Sequence, residues 1–435
     1  MGKQVQVRAQ TVGRKRDARQ PEAAAAAPNK RGLMRGPELE AEIIAVGSGL
    51  VGAIGLLVDE VPGRGSGPVA LAQSLNIDKV LASRVLKALR SADAVTSMYF
   101  MPGPEPLRAL VRAAERRGVG AKVIERAVGA VDRFEWLIQE QVGDRSLLDS
   151  VLSAWIPEAR REFELRRKQA AFKAMSQLKG VQADTIMATC LLSPSAGEEL
   201  VDVVWVHGLT GLHRVRPGVA VKITSRRMSR EPKARRPLTL DMREIDGSAP
   251  PLVEAYCSKP TPPVEVVRVG AEGESVFYTL GGDGFGAGSA VDVMFAEVNL
   301  SEMKRKLPAN SGRGWYFFAE ANVPAKELQF DVIAHEALFA GHEPQLRLYD
   351  TVLNGVADVF DPKRDLDRLD MLETIRPLGR GLSRVRSASV PGYSEIMREV
   401  LERLSLDPMA FRTFRCSVEY PLYGSQVAMM FRAEG

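Results

Sequence analysis

Three glycines, Gly47-x-Gly49-x-x-Gly52, follow Ile43 and Ile44 in "IIAVGSGLVGAIGLLVDE". This is the pattern with which a strand-to-helix turn sets backbone amides against a dinucleotide pyrophosphate. That chemistry also needs a second strand ending in an acid about 20 residues on, to hold the ribose hydroxyls. The residues there, "GPVALAQSLN", offer neither strand nor acid. Leu39, Ile43, Val46, Leu50, Ile54 and Leu57 instead recur at helical spacing, with Glu38, Glu40 and Glu42 in the first turn, so a buried helix is predicted over residues 38–60. Its uncharged stretch, residues 43–58, would extend about 24 Å as a helix against a hydrocarbon core of about 30 Å, and no membrane partner is expected.

Other patterns read more simply as structure than as chemistry. "HEALFAGHE" sets His335-Glu336 and His342-Glu343 about Ala340-Gly341, where a hairpin could join two imidazoles. The spacing is not the four-residue one that ligates a metal from one helical turn, and no third ligand is evident, so no metal site is assigned. His207 and His213 flank "GLTGL" and read as structural residues of a turn. "GGDGFGAGS", residues 281–289, lacks a Lys-Ser or Lys-Thr ending and reads as a flexible loop rather than a phosphate cradle. In "DPKRDLDRLD", Asp361, Asp365, Asp367 and Asp370 interleave with Lys363, Arg364 and Arg368, which suits a solvated helix face and not a calcium loop. No Gly-x-Ser-x-Gly elbow occurs. Cys190, Cys257 and Cys416 are odd in number and widely spaced, against a disulfide framework and in keeping with a reducing cytoplasm. No catalytic residue and no cofactor is assigned.

The elements around these patterns carry a clearer signal. In "PVALAQSLNIDKVLASRVLKALRSA", residues 68–92, Pro68 suits a first helical position, and Val69, Leu71, Ala72 and Leu75 give a short helix an apolar face. Asn76 stands where a tight turn wants a residue tolerant of left-handed backbone, Ile77 plugs the corner, and Asp78 is an N-cap for a second helix running to Ala92. Ala82, Val85, Leu86 and Leu89 should pack inward. Val80, Ser83, Arg84 and Lys87 then face outward, with Lys79 at the leading edge. Two helices joined so tightly, with a cationic outer face, form a helix-turn-helix able to lay its second helix in a DNA major groove.

This run resembles the winged helix-turn-helix of MarR-type and IclR-type bacterial transcription regulators, over roughly residues 38–101. The resemblance implies double-stranded DNA as partner, with Lys79, Val80, Ser83, Arg84 and Lys87 at DNA-facing positions and "DAVTSMYFM", residues 93–101, as the strand opening the wing. The sequence departs from that pattern twice. Val80 and Leu81 replace short hydroxyl residues, which leaves base readout either resting on a thymine methyl or absent, and Pro102-Gly103-Pro104 curtails the wing.

The charge is placed unevenly. Residues 1–36 hold nine cations against Asp17 and Glu22, a net of +7; since the whole chain is +5, residues 37–435 carry −2. The tail, with its Ala23 to Ala27 run, reads as a disordered cationic arm able to attract phosphate. No apolar segment follows its basic residues, so no signal peptide is expected. Residues 105–180 read as helices, broken at Pro157, that link and pair two copies into a homodimer. After Val181 alternating β-branched runs, from "TIMATCLLS" to "SQVAMMFR", predict a mostly antiparallel β region with helices near residues 365–375 and 393–404 and a seam near 225–239.

The expectation is thus an α+β multidomain chain: a basic tail (1–36), a winged helix-turn-helix (37–104), a helical linker (105–180) and an α+β region (181–435) with room for a small-molecule effector. Its expected function is a cytoplasmic DNA-binding transcription regulator. An assembly protein using the helix-turn-helix for protein contact is the alternative, favoured by outward Val80 and Leu81. An enzyme in residues 181–435 comes third, and a deep pocket holding convergent carboxylates, or His335 with His342, would favour it.

Overall fold

The computed structural model describes residue 34 and residues 36–63, 65, 67–91, 93–196, 199–227, 237–270, 275–307, 313–339 and 342–432. The basic tail, apart from Met34 and Gly36, lies outside these residues, as do 228–236 of the expected seam. The chain is of mixed α+β class and forms two compact units, the first ending at Ile156 and the second beginning at Pro157.

The first unit is helical throughout its described residues: α1 (Gly36–Asp59), α2 (Pro68–Leu75), α3 (Lys79–Leu89), α4 (Ala94–Phe100), α5 (Pro104–Arg116), α6 (Ala121–Trp136), a π-helical turn (Leu137–Val142) and α7 (Arg145–Trp155). Local chemistry sets the starts. Pro68 and Pro104 open α2 and α5, while Asp78, Asp93 and Asp144 cap the amides at the heads of α3, α4 and α7. One core takes Leu50, Ile54 and Leu57 from α1, Leu71 and Leu75 from α2, Val85 from α3, Leu110 from α5, Phe134 from α6 and Leu152 from α7. The helices of residues 104–155 therefore share the core of the helix-turn-helix rather than standing apart as a linker.

One sequence expectation holds here and one changes. Gly47, Gly49 and Gly52 lie inside α1, where Gly47 lets α4 approach: a Cβ there would sit 3.0 Å from the Ala94 carbonyl oxygen and 3.1 Å from Met98 Cε. The segment expected to open a wing is not a strand but α4, and the first unit has no strand among its described residues. The strand expectation rested on a short β-branched and aromatic run. Against it, Asp93 accepts from the Thr96 amide at 2.9 Å and from Thr96 Oγ1 at 2.7 Å, and Ser97, Met98 and Met101 bury one helical face. Arg145 then donates to the carbonyls of Met98 and Tyr99, both at 3.1 Å, closing the C-terminal end of α4. Among the described helices, α1 alone is long and apolar enough to cross a membrane, and 44% of its most apolar stretch is buried within the protein.

The second unit begins with α8 (Pro157–Lys179) and continues through β1 (Val181–Pro194), β2 (Leu200–Arg214), β3 (Val221–Arg227), β4 (Val264–Val269), β5 (Ser275–Leu280), β6 (Val291–Lys304), β7 (Gly314–Glu320), β8 (Ala325–His335), β9 (Gln345–Asp350), β10 (Arg376–Arg380), α9 (Tyr393–Arg403), β11 (Phe411–Glu419) and β12 (Ser425–Arg432). A six-stranded sheet, β10-β11-β8-β1-β2-β6, is antiparallel except for the parallel pair β1–β8. Two three-stranded sheets, β7-β12-β9 and β3-β5-β4, accompany it. Strand β1 is central and covered on both faces, hence its near-continuous apolar sequence. One face packs Ala188, Phe295 and Phe330 with residues of the smaller sheets; the other packs Met187 and Val206 against Ile396, Met397 and Val400 of α9.

No α-helix forms at 365–375. A 3-10 turn (Pro362–Asp367) is followed by extended chain, because Leu369 donates its amide to Leu348 and, with Met371 and Ile375, packs on the sheet core. Strands β9 and β10 were not expected from the sequence.

Candidate nucleic-acid interface

The turn between α2 and α3 is built from the residues that the sequence suggested. Asn76 adopts φ 53° and ψ 53°, and the Ile77 amide donates to the Ala72 carbonyl at 3.0 Å. Asp78 Oδ1 accepts from the Val80 amide at 2.6 Å, fixing where α3 begins. Ala82 and Val85 are fully buried, with Leu86 and Ala88 beside them, so the opposite face of α3 must point outward.

Lys79, Val80, Ser83, Arg84 and Lys87 are all solvent-exposed on that face. Val80 is 66% exposed, an apolar side chain held in water by the helix. The helix Lys79–Leu89 carries three cations and no acid. Two of them are unfavourably placed for folding alone. Lys79 stands at the positive end of the helix dipole, where a cation destabilises. Arg84 lies near the half-buried Arg145, whose guanidinium is drawn below its ordinary range mainly by burial, with Asp149 opposing and Arg84 adding to the effect. Lys87 rests its ammonium on the Phe100 ring of α4. The face is positive and exposed, and among the described residues of its unit no strand forms a wing.

The other sequence candidates are placed by ordinary structural contacts. The glycine-rich loop after β5 turns carbonyls, not amides, toward a cation: buried Arg214 donates to Leu280, Gly281 and Gly284 oxygens. Arg364 binds Asp367 and the carbonyls of Asn354, Gly355 and Val356, so the acidic segment is a braced turn and not the helix face expected. His335 Nδ1 accepts from the Ala337 amide at 3.1 Å, and His342 Nδ1 pairs with the Phe339 carbonyl at 3.0 Å. His213 bonds Gln182 and the Gly211 carbonyl, while His207 stacks on Phe295. The three cysteines are buried, and burial pushes their thiols up, Cys416 to about 12, which suppresses nucleophilic thiolate.

Inside the six-stranded sheet lies a polar group that no motif announced. Arg415 of β11 binds Asp331 of β8 through two nitrogens, at 2.8 and 2.7 Å, and Tyr393 of α9 donates to the same carboxylate at 2.5 Å. Tyr393 also meets Thr189 Oγ1 of β1 at 2.8 Å, so four elements share one buried network. A cavity beside β2, lined by Trp205, Tyr278, Glu297 and Glu320, was missed as well. It is assembled from residues as far apart as Ile186 and Asn322, and nothing in local spacing marks such a meeting.

The arrangement defines an α+β protein with a helix-turn-helix embedded in a helical unit. The sequence matches no protein-family model and no curated protein.

Proposed function

We propose that this protein is a DNA-binding transcription regulator whose helix α3 enters the major groove, with the β-rich second unit acting as a sensor. The observation that carries the reading is the outward set Lys79, Val80, Ser83, Arg84 and Lys87 on a helix whose other face is locked by Ala82 and Val85. Arg84 and Lys87 would bind phosphate or guanine, Ser83 a phosphate, and Val80 a thymine methyl. A duplex would also supply the anion that offsets the adverse placement of Lys79 and Arg84. With α4 where a wing strand was expected, the reading concentrates the contacts on α3. A homodimer would present two such helices to two half-sites, and the reading places the protein in the cytoplasm.

Exposed Val80 also favours an assembly role, in which α3 meets a protein surface. One experiment separates the two: titrating a fluorescent duplex with the full chain and with the Arg84→Glu/Lys87→Glu variant. The regulator reading expects binding in the variant to fall to the weak level that the cationic tail sustains, with its melting temperature nearly unchanged. Equal binding by both proteins would remove α3 from the interface.

A further inference from the structure

A cavity of about 390 Å³ opens between the inner face of the six-stranded sheet and strands β3, β5 and β7, large enough for a small organic ligand. Pairing register sets its floor. Trp205 and His207 alternate on β2 and share one face, and their direct partners on β6 are Glu297 and Phe295. Ring stacking holds the floor in place: His207 lies on Phe295 at 5.3 Å and 9°, and Trp205 on Phe330 at 6.5 Å and 10°. Tyr278 of β5 forms one wall, and the edge strand β7 adds Phe318 and Glu320.

The lining is aromatic and acidic. Among the described residues that line it, there is no lysine or arginine. Lys222 acts on Glu320 from nearby but rests its ammonium over Phe277, whose side chain lies on the opposite face of β5 from Tyr278. Glu320 is exposed at the mouth, yet the walls remove enough water for burial to push its carboxyl above the ordinary range. An anion would meet two carboxylates and the negative faces of the rings. A neutral ligand would bring no positive charge to either carboxylate.

We propose that this cavity binds an organic cation, an ammonium or quaternary ammonium group carried on an apolar body. The ring faces attract the cation, Glu297 and Glu320 neutralise it, and the apolar floor of Ile186, Ala188 and Leu209 takes the body. The inference deepens the sensor reading and rests on it only for its regulatory meaning; the binding itself does not depend on DNA.

The test is calorimetric titration of the full chain, without DNA, with benzyltrimethylammonium chloride, and in parallel with benzenesulfonate. Saturable one-to-one binding of the cation, and none of the anion, is expected. Glu297→Gln and Trp205→Leu should each weaken it about fivefold or more. Glu320→Gln, at the exposed mouth, removes charge without touching the core and should weaken it as well. No binding of the cation up to about 5 mM, equal binding of benzenesulfonate, or unchanged affinity in both glutamine variants would overturn the proposal. Because no duplex is present, a failure here is distinct from a failure of the α3 interface.

Discussion

The ammonium of Lys87 sits 3.7 Å from the centre of the Phe100 ring, so this outward cation of α3 is steadied by the helix that follows it. The ring takes one side of the ammonium, and under the proposed DNA-binding reading the others would meet a phosphate. Phe100→Leu should therefore weaken duplex binding a few-fold through lost orientation, an effect of about 0.5–1 kcal/mol. The slope of log affinity against log salt should stay the same. Lys87→Met should reduce that slope by about 0.9, one phosphate contact. Affinities measured over a salt series distinguish the two, and an unchanged slope in Lys87→Met would place Lys87 off the backbone.

Asn76 fixes the angle between α2 and α3 by standing in left-handed backbone, φ 53°. Asn76→Val should destabilise the first unit by about 1–2 kcal/mol, since a β-branched side chain is disfavoured there. Asn76→Gly should cost less than about 1 kcal/mol. Urea unfolding of both variants checks the order, and a better-tolerated valine would mean that the turn is not held as described.

Asp331 and Arg415 form a fully enclosed pair on the central sheet, with side chains 0% and 5% exposed. Removing one partner leaves an uncompensated buried charge, so Arg415→Met should cost about 3–5 kcal/mol. Replacing both, as Asp331→Leu with Arg415→Met, should cost less than the single change. A double-mutant cycle by denaturant unfolding reads this directly. Additive losses would show that the pair is not coupled.

His335 is held below the ordinary imidazole value, first by burial and then by Arg305, with Asp407 opposing. The unfolded chain takes up this proton near pH 6.5. Between that value and the lower folded one, the unfolded state binds more protons. The stabilisation is therefore complete above the unfolded value and declines as pH falls towards the folded one. Protonation also removes the acceptor for the Ala337 amide. His335→Asn should flatten the fall in stability between pH 7.5 and pH 5.5 relative to wild type, by about one proton's worth at most. Parallel declines in the two proteins would assign the pH dependence elsewhere.

The parts legible in the sequence are those that local chemistry decides. Pro68, Asn76 and Asp78 mark α2, the turn and α3 because capping and left-handed backbone act within four residues. Strands β4 and β12 fall on the runs "VEVVRV" and "SQVAMMFR". The wing failed because Asp93 and buried Met98 outweigh the β propensity of a seven-residue stretch. The cavity and the Asp331–Arg415 pair could not be read, since each depends on strand register across distant segments.

Selection of bound sequences from a pool of random duplexes tests the central claim most directly, run on the full chain and on Arg84→Glu/Lys87→Glu. Any attraction exerted by the cationic tail carries no sequence information, so enrichment must come from α3. The account predicts that the wild-type chain enriches a defined motif and the variant enriches none, with both folds intact by circular dichroism. A wild-type chain that binds duplexes yet enriches no motif would contradict it.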